Sequence, residues 1–250
     1  MIDLDNIKQL AKKFEIDGFS ILREYLQIRF LDEFYKNHDL KNTYFKGGTA
    51  IRLLFGSSRF SEDLDFTTYE NKEKLETILA SVVNKLGSEF PSLTIKELET
   101  IEGYSAKLYL PTEIASHPLT VKLDFSQREK VGAPLTSPIE TELPIGGVSL
   151  VEHLSEKEIL AEKVRALMAR RKGRDLFDLW YLLSKGVLFD KDLIDNKLKF
   201  YDEKFQKEKL IEAIEHWDQK DIDQDLRRFL PLSQRKVINQ LKRIVLAKLK

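Results

Sequence analysis

The chain has 250 residues and a mass of 29.1 kDa, room for one large domain or two modest ones. Apolar residues make up 42% and charged residues 33%, too hydrophobic for a disordered chain and too charged for a membrane-embedded one. Lys plus Arg equals Asp plus Glu at 41 each, which disfavours coating nucleic acid by bulk charge but allows a local basic groove, and the absence of Cys excludes disulfides, a thiol nucleophile and thiolate metal sites.

No run approaches the roughly 18 apolar residues of a spanning helix, and the amphipathic, mixed-charge start is unlike a signal peptide. A cytoplasmic protein with no membrane partner is expected. Ile7, Leu10, Ala11 and Phe14 recur at helical spacing and Gly18 interrupts them. A second helical pattern runs through Ile21, Leu22, Tyr25, Leu26, Ile28, Phe30, Leu31 and Phe34, up to the polar stretch 36–42. Gly47 and Gly48 precede a short apolar run, 50–55, and residues 56–58 mark a turn. Residues 63–67 alternate polar and apolar as a half-buried strand does, and 72–86 return to helical spacing. Three further strands are expected at 93–98, 104–110 and 119–125. With three prolines and three glycines, 126–148 reads as a long surface excursion of the kind that often carries function. Ser155 and Glu158 fit a capping box, and nearly everything beyond is helical. The predicted class is α+β: a mixed β-sheet with flanking helices over 1–150, then a helical domain over 151–250 that completes a cleft.

The chemistry concentrates in K-G-G-T-A-I-R-L (46–53) and R-F-S-E-D-L-D-F (59–66). Glycines opening a helix let its free N–H groups approach an anion that the helix dipole also favours. On a strand, Asp63 and Asp65 share a face, about 7 Å apart, and such oxygen ligands suit Mg²⁺ or Mn²⁺. Each half alone also fits a plain turn or a solvated strand face. The order of anion cradle, short helix, turn and paired carboxylates is what phosphoryl or nucleotidyl transfer needs. Asp124, with Lys122, faces away from Val121, Leu123 and Phe125, and becomes a third carboxylate if its strand neighbours that of Asp63 and Asp65. Lys163 lies beside the apolar stripe of Leu160, Val164 and Leu167. It is 15 residues from Asp178, about 22 Å along one helix, so the two share a site only if Gly173 ends the first helix and the second folds back. The alternative is a charged helix pair laced by salt bridges, with Arg174 and Asp175 as an exposed cap.

Together with K-V-R-A-L-x(6)-R-D-L-F-D-L (163–179), these motifs resemble the AbiEii nucleotidyltransferase toxin family, relatives of the MenT toxins within the polymerase-β-like nucleotidyltransferase superfamily. The resemblance runs from about residue 44 to 183. It implies that Gly47, Gly48 and Thr49 form a phosphate-binding turn, with Thr49 supplying the hydroxyl where the family often has Gly-Ser. It gives Ser61, Asp63 and Asp65 the S-x-D-x-D positions for metal and nucleotide. It assigns Lys163 to the triphosphate, Asp178 as the later catalytic aspartate, and Asp124 as a third metal carboxylate in a region the family varies. The implied activity is Mg²⁺-dependent (or Mn²⁺-dependent) transfer of a nucleoside monophosphate from an NTP to an acceptor such as the tRNA 3′ end, as the toxin of a type IV toxin–antitoxin pair with an antitoxin partner. A kinase-like phosphotransferase, a nucleotidyltransferase with a protein acceptor and a non-catalytic nucleotide-binding partner remain as alternatives.

Other signatures are missing. The histidines at 38, 117, 153 and 216 have no metal-ligand spacing; there is no G-x-S-x-G elbow or G-x-G-x-x-G; and Lys46 precedes its glycines, unlike a Walker A loop. Residues 235–250 hold Arg235, Lys236, Lys242, Arg243, Lys248 and Lys250 beside the stripe Val237, Ile238, Leu241, Ile244, Val245 and Leu249. This fits a docked amphipathic helix with its basic face in water, or part of an RNA-binding surface with Arg165, Arg170, Arg171, Lys172 and Arg174.

Overall fold

The computed structural model describes residues 2–37 and 40–249. It divides into two compact units: one holds the chain up to Gly56 together with Phe60–Leu154, the other Ser57–Arg59 together with the chain from Ser155 onward.

In the first unit, two helices, α1 (Leu4–Phe14) and α2 (Gly18–Tyr35), precede strand β1 (Thr43–Lys46), which runs directly into helix α3 (Gly47–Phe55). Strand β2 (Leu64–Thr68), helix α4 (Lys72–Leu86) and strands β3 (Thr94–Leu98), β4 (Tyr104–Leu110) and β5 (Leu119–Ser126) follow. Two short strands, β6 (Leu135–Ser137) and β7 (Val151–His153), complete a mixed sheet of order β3-β4-β5-β2-β1-β7-β6. The β2–β5 and β1–β7 pairs are parallel and the other pairs antiparallel. The expected mixed sheet with flanking helices is present.

Local chemistry explains the helix starts. Asp3, Asp17 and Asn71 each accept a hydrogen bond from a backbone N–H of the first turn of α1, α2 and α4, a cap worth about 1 kcal/mol. The core forms where α2 lies on one face of the sheet. Phe45, Phe66 and Phe125 sit side by side across β1, β2 and β5, and Phe34 of α2 packs on Phe66 and Phe125 with ring centroids 5.3 and 5.9 Å apart. Because side chains alternate along a strand, the next residues along, Lys46, Asp65 and Asp124, occupy the opposite face.

Two expectations need correction. The 126–148 segment is not wholly a surface excursion, since β6 pairs there with β7, and β7 extends the sheet beyond β1. Gly173 does not end a helix but opens one. Helix α5 (Glu156–Ala169) stops earlier, and α6 (Gly173–Ser184) begins where a Cβ would lie 2.7 Å from the carbonyl oxygen of Ile222.

The second unit continues with α7 (Lys191–Lys199), α8 (Lys207–Glu215), α9 (Gln219–Leu226), two 3₁₀ turns (Arg227–Phe229 and Leu232–Val237) and α10 (Ile238–Leu249). Ser155 caps α5 by accepting from the Glu158 N–H, as the capping box predicts. Helix α5 packs against α6, α7 and α8, so Glu158, Glu162 and Lys163 are buried along with its apolar stripe. Helix α10 buries Ile238, Leu241, Val245 and Leu249. Among the described residues no helix is long and apolar enough to cross a membrane.

Candidate active-site residues

In the first unit the anion cradle and the carboxylates converge. Strand β1 delivers Gly47 as the first residue of α3, with φ of +78°, a conformation that glycine takes without strain. Lys46, at the N-cap position, makes no side-chain cap bond. The space that a Gly47 side chain would need is taken by Asp65: a Cβ there would sit 2.1 Å from Oδ2. Gly48 follows, buried in the first turn.

Asp65 of β2 is in register with Asp124 of β5 on the parallel neighbour and with Lys46 of β1 on the other side, and Ser105 of β4 extends the row beyond Asp124. Adjacent strands lie about 4.8 Å apart, so Asp65 and Asp124 present neighbouring carboxylates on one face. The strand adjacency on which a role for Asp124 depends is present. The Ser105 hydroxyl donates to Asp124 Oδ1, and the Lys122 ammonium lies 3.5 Å from the same oxygen. Asp63 immediately precedes β2. Its carbonyl oxygen accepts from the buried Thr49 hydroxyl, so Thr49 ties the first turn of α3 to the entry of β2. The Ser61 carbonyl accepts from Gln27 Nε2 at 3.2 Å.

Among the described residues no group of three or more His, Cys, Asp or Glu side chains is close enough to form a metal cage by itself. His153 is buried between the Leu154 carbonyl and the Ser137 hydroxyl, His117 lies against Phe19, and His216 bonds the Glu212 carbonyl. His38 and Lys250 lie outside the described residues. The Asp65–Asp124 pair nevertheless fits a divalent cation that keeps most of its shell as water and phosphate oxygen, as Mg²⁺ does. The glycine that leaves room for Asp65 is part of that fit.

The second unit gathers a buried charge network. Asp178 of α6 is fully buried and accepts from Arg59 Nε and Nη2, both at 2.8 Å. The same carboxylate lies 2.8 Å from Lys163 Nζ, which also donates to Asp175 Oδ1 at 2.8 Å; Arg170 adds a bond to Asp175 at 3.1 Å. Burial alone would raise the pKa of both carboxyls, but the surrounding cations outweigh it. Lys163 and Arg170 hold Asp175 at about 2, and Arg59 with Lys163 hold Asp178 below the ordinary carboxylate range. Burial would lower Lys163, yet Asp175 and Asp178 raise it, so its ammonium stays charged. Lys163 and Asp178 are thus brought together, as the folded-back helix pair requires.

Two members of this network were not singled out by the sequence. Arg59 finds its partner 119 residues away along the chain, which no local pattern reveals. Asp175, an exposed cap only in the alternative salt-bridge reading, is 2% exposed. Its i, i+3 spacing to Asp178 places both on one face of α6, and that spacing was the available signal. Of the basic residues considered for RNA, Arg165 bonds the Tyr201 hydroxyl, Arg170 bonds Asp175, and Arg174 lies 3.5 Å from Asp225.

Comparison with known proteins identifies the family and the fold. The family model described as nucleotidyl transferase AbiEii toxin, type IV TA system, matches residues 29–242. No curated protein matches. Among solved structures, the chain is similar to MenT4, nucleotidyltransferase toxin Rv2826c from Mycobacterium tuberculosis H37Rv, at a TM-score of 0.57 and 18% identity, covering 91% of this chain and 84% of that one. It is also similar to JHP933 from Helicobacter pylori, at a TM-score of 0.55 and 20% identity, covering 94% of each chain. At these identities the likeness concerns the fold.

Proposed function

The chain belongs to the AbiEii family of nucleotidyltransferase toxins, and on that premise we propose that it transfers a nucleoside monophosphate from an NTP to an RNA hydroxyl, with the tRNA 3′ end as acceptor, Mg²⁺ as the metal and a type IV antitoxin as partner. The observation that carries the reading is the Asp65–Asp124 pair on one face of the sheet, with Asp65 seated against Gly47 at the start of α3.

Asp65 and Asp124, with Asp63 at the entry of β2, would hold the metal. A divalent cation bound there supplies charge neutralisation for the phosphates and makes the acceptor hydroxyl easier to ionise. The Gly47–Gly48 turn offers backbone N–H groups to phosphate oxygens at a helix N-terminus. Thr49 fixes the main chain of Asp63, and the hydrogen bond from Gln27 steadies Ser61 beside it. By resemblance, Lys163 neutralises triphosphate charge, and its paired carboxylates keep it protonated for that task. Asp178 is the positioning residue for Lys163 and Arg59. In the reaction the acceptor oxygen bonds to the α-phosphorus as the bond from that phosphorus to the bridging oxygen breaks. Pyrophosphate leaves, and the hydroxyl proton passes to solvent. Positioning and charge neutralisation supply most of the catalysis.

The test incubates the protein with Mg²⁺, total RNA and NTP labelled on either the α- or the γ-phosphate. Label in RNA from the α position alone supports the proposal, and Asp65→Asn should remove it by several orders of magnitude while leaving the fold intact. Label from the γ position identifies a phosphotransferase instead. Label in protein moves the acceptor away from RNA, and nucleotide binding without any label leaves only a binding module.

A further inference from the structure

The face of the sheet that carries Asp65 and Asp124 also carries Lys96, Lys107 and Lys122, in direct register across β3, β4 and β5. Residues directly opposite on antiparallel strands bring their Cβ atoms to about 5 Å, and like charges so placed destabilise a sheet. Little within this unit offsets the row. Lys122 lies 3.5 Å from Asp124, and Lys96 sits 5.5 Å from the centre of the Tyr109 ring. Lys107, between them, has no ion pair or hydrogen bond among the described residues. Glu97, the acid on β3 beside Lys96, faces the other side of the sheet and pairs with Lys72. Apart from Asp124, the neighbouring positions on the lysine face, Thr94, Tyr109, Thr120 and Ser105, are uncharged. A row of three ammonium groups held at a cost to the sheet, with its central member unpartnered, is complementary to an anion.

The row lies two residues along β5 from the carboxylates, about 7 Å, because Lys122 and Asp124 alternate with Leu123. A linear array suits a linear polyanion better than a compact one. The half-buried Tyr109 next to Lys96 and Lys107 adds a ring on which a base can stack. We infer that Lys96, Lys107 and Lys122 bind the phosphate backbone of the single-stranded end of an RNA acceptor, whose terminal hydroxyl then reaches the Asp65–Asp124 pair. This deepens the proposed function and rests on it for the acceptor's identity as RNA.

The experiment measures binding of a short fluorescent single-stranded RNA to the full chain by anisotropy, without nucleotide and over a range of salt. The triple variant Lys96→Ala, Lys107→Ala, Lys122→Ala should bind at least about tenfold more weakly at low salt, with the slope of log affinity against log salt reduced by about 2. Its melting temperature should equal or exceed that of the wild type, because repulsion is removed. Affinity for a non-hydrolysable NTP should be unchanged, and Lys8→Ala on α1 should leave RNA binding as it was. Unaltered RNA affinity in the triple variant overturns the inference, as does a wild-type protein that binds no RNA. A parallel loss of NTP affinity also overturns it, by assigning the row to the triphosphate. Since binding is read without turnover, failure here is distinct from failure of the transfer reaction, which shows as absent α-label.

Discussion

The carboxylate of Asp65 fills the volume that any side chain on Gly47 would need: a Cβ at Gly47 falls 2.1 Å from Asp65 Oδ2, and its backbone sits at a φ of +78°. Two separate penalties therefore attach to Gly47→Ala, one conformational and one from the carboxylate. Gly186 separates them, since its φ is +84° but nothing lies within 4 Å of its Cβ position. Gly186→Ala should lose about 1–2 kcal/mol of stability and keep transfer activity. Gly47→Ala should lose at least as much stability and, in addition, most of its activity. Urea unfolding and an α-label assay on both variants decide the matter. Equal activity in the two would remove the carboxylate from the explanation.

What the sequence revealed follows the range of the interactions. Helix α4 and strands β4 and β5 were readable because each has an unbroken period of its own, and the alternation Val121, Leu123, Phe125 against Lys122, Asp124 set the face of Asp124. Strand β1 was hidden because its four residues run without a break into Gly47, whose glycine pair signals a helix start. Strand β7 has three residues and lies directly before the capped α5, so its pairing with β1 comes from tertiary contact rather than from any local pattern. The carboxylate motif was visible as spacing. The Arg59–Asp178 bond and the burial of Asp175 were not, because both depend on segments distant in sequence.

Asp178 accepts two hydrogen bonds from Arg59 and contacts Lys163, all buried. Asp178→Asn should therefore cost about 3–5 kcal/mol, the usual result of leaving buried cations without their counter-charge. Its loss of activity should be partly recovered at low temperature, where the fold is regained. Lys163→Ala tests a different role, because it should weaken NTP binding in a variant that is still folded, and Lys163→Arg should restore part of it. Calorimetric binding at a temperature where each variant is folded makes the comparison. Normal NTP affinity in folded Lys163→Ala would leave the lysine with structural work only.

The acid limb of stability should trace to the same network. Asp175 has a folded pKa of about 2 against an ordinary value of 3.8, so it is depressed by folding. A depressed carboxylate adds stability above its unfolded pKa and loses it as pH falls through the folded one. The loss should run from about pH 4 down to about pH 2, and Asp178, shifted in the same direction, should add to it. Asp175→Asn should show a shallower fall in unfolding free energy across that window, whatever its stability at neutral pH. Parallel curves for variant and wild type would assign the acid limb to other carboxylates.

Thr49 links the two halves of the motif. Its buried hydroxyl donates to the Asp63 carbonyl, joining the first turn of α3 to the residue that leads into β2. Thr49→Val keeps the shape and removes the donor, leaving a carbonyl with one bond fewer, a loss of about 1–3 kcal/mol. Thr49→Ser keeps the donor and removes a methyl, so it should retain the hydrogen bond at a smaller packing cost. If the bond serves to place Asp63 for the metal, Thr49→Val should raise the Mg²⁺ concentration needed for half-maximal transfer, and Thr49→Ser should return it toward the wild-type value. A purely structural bond would lower the melting temperature of Thr49→Val and leave its Mg²⁺ requirement where it was. Titrating Mg²⁺ at saturating NTP, at a temperature where all three proteins are folded, distinguishes these outcomes, because the first moves the metal requirement and the second does not.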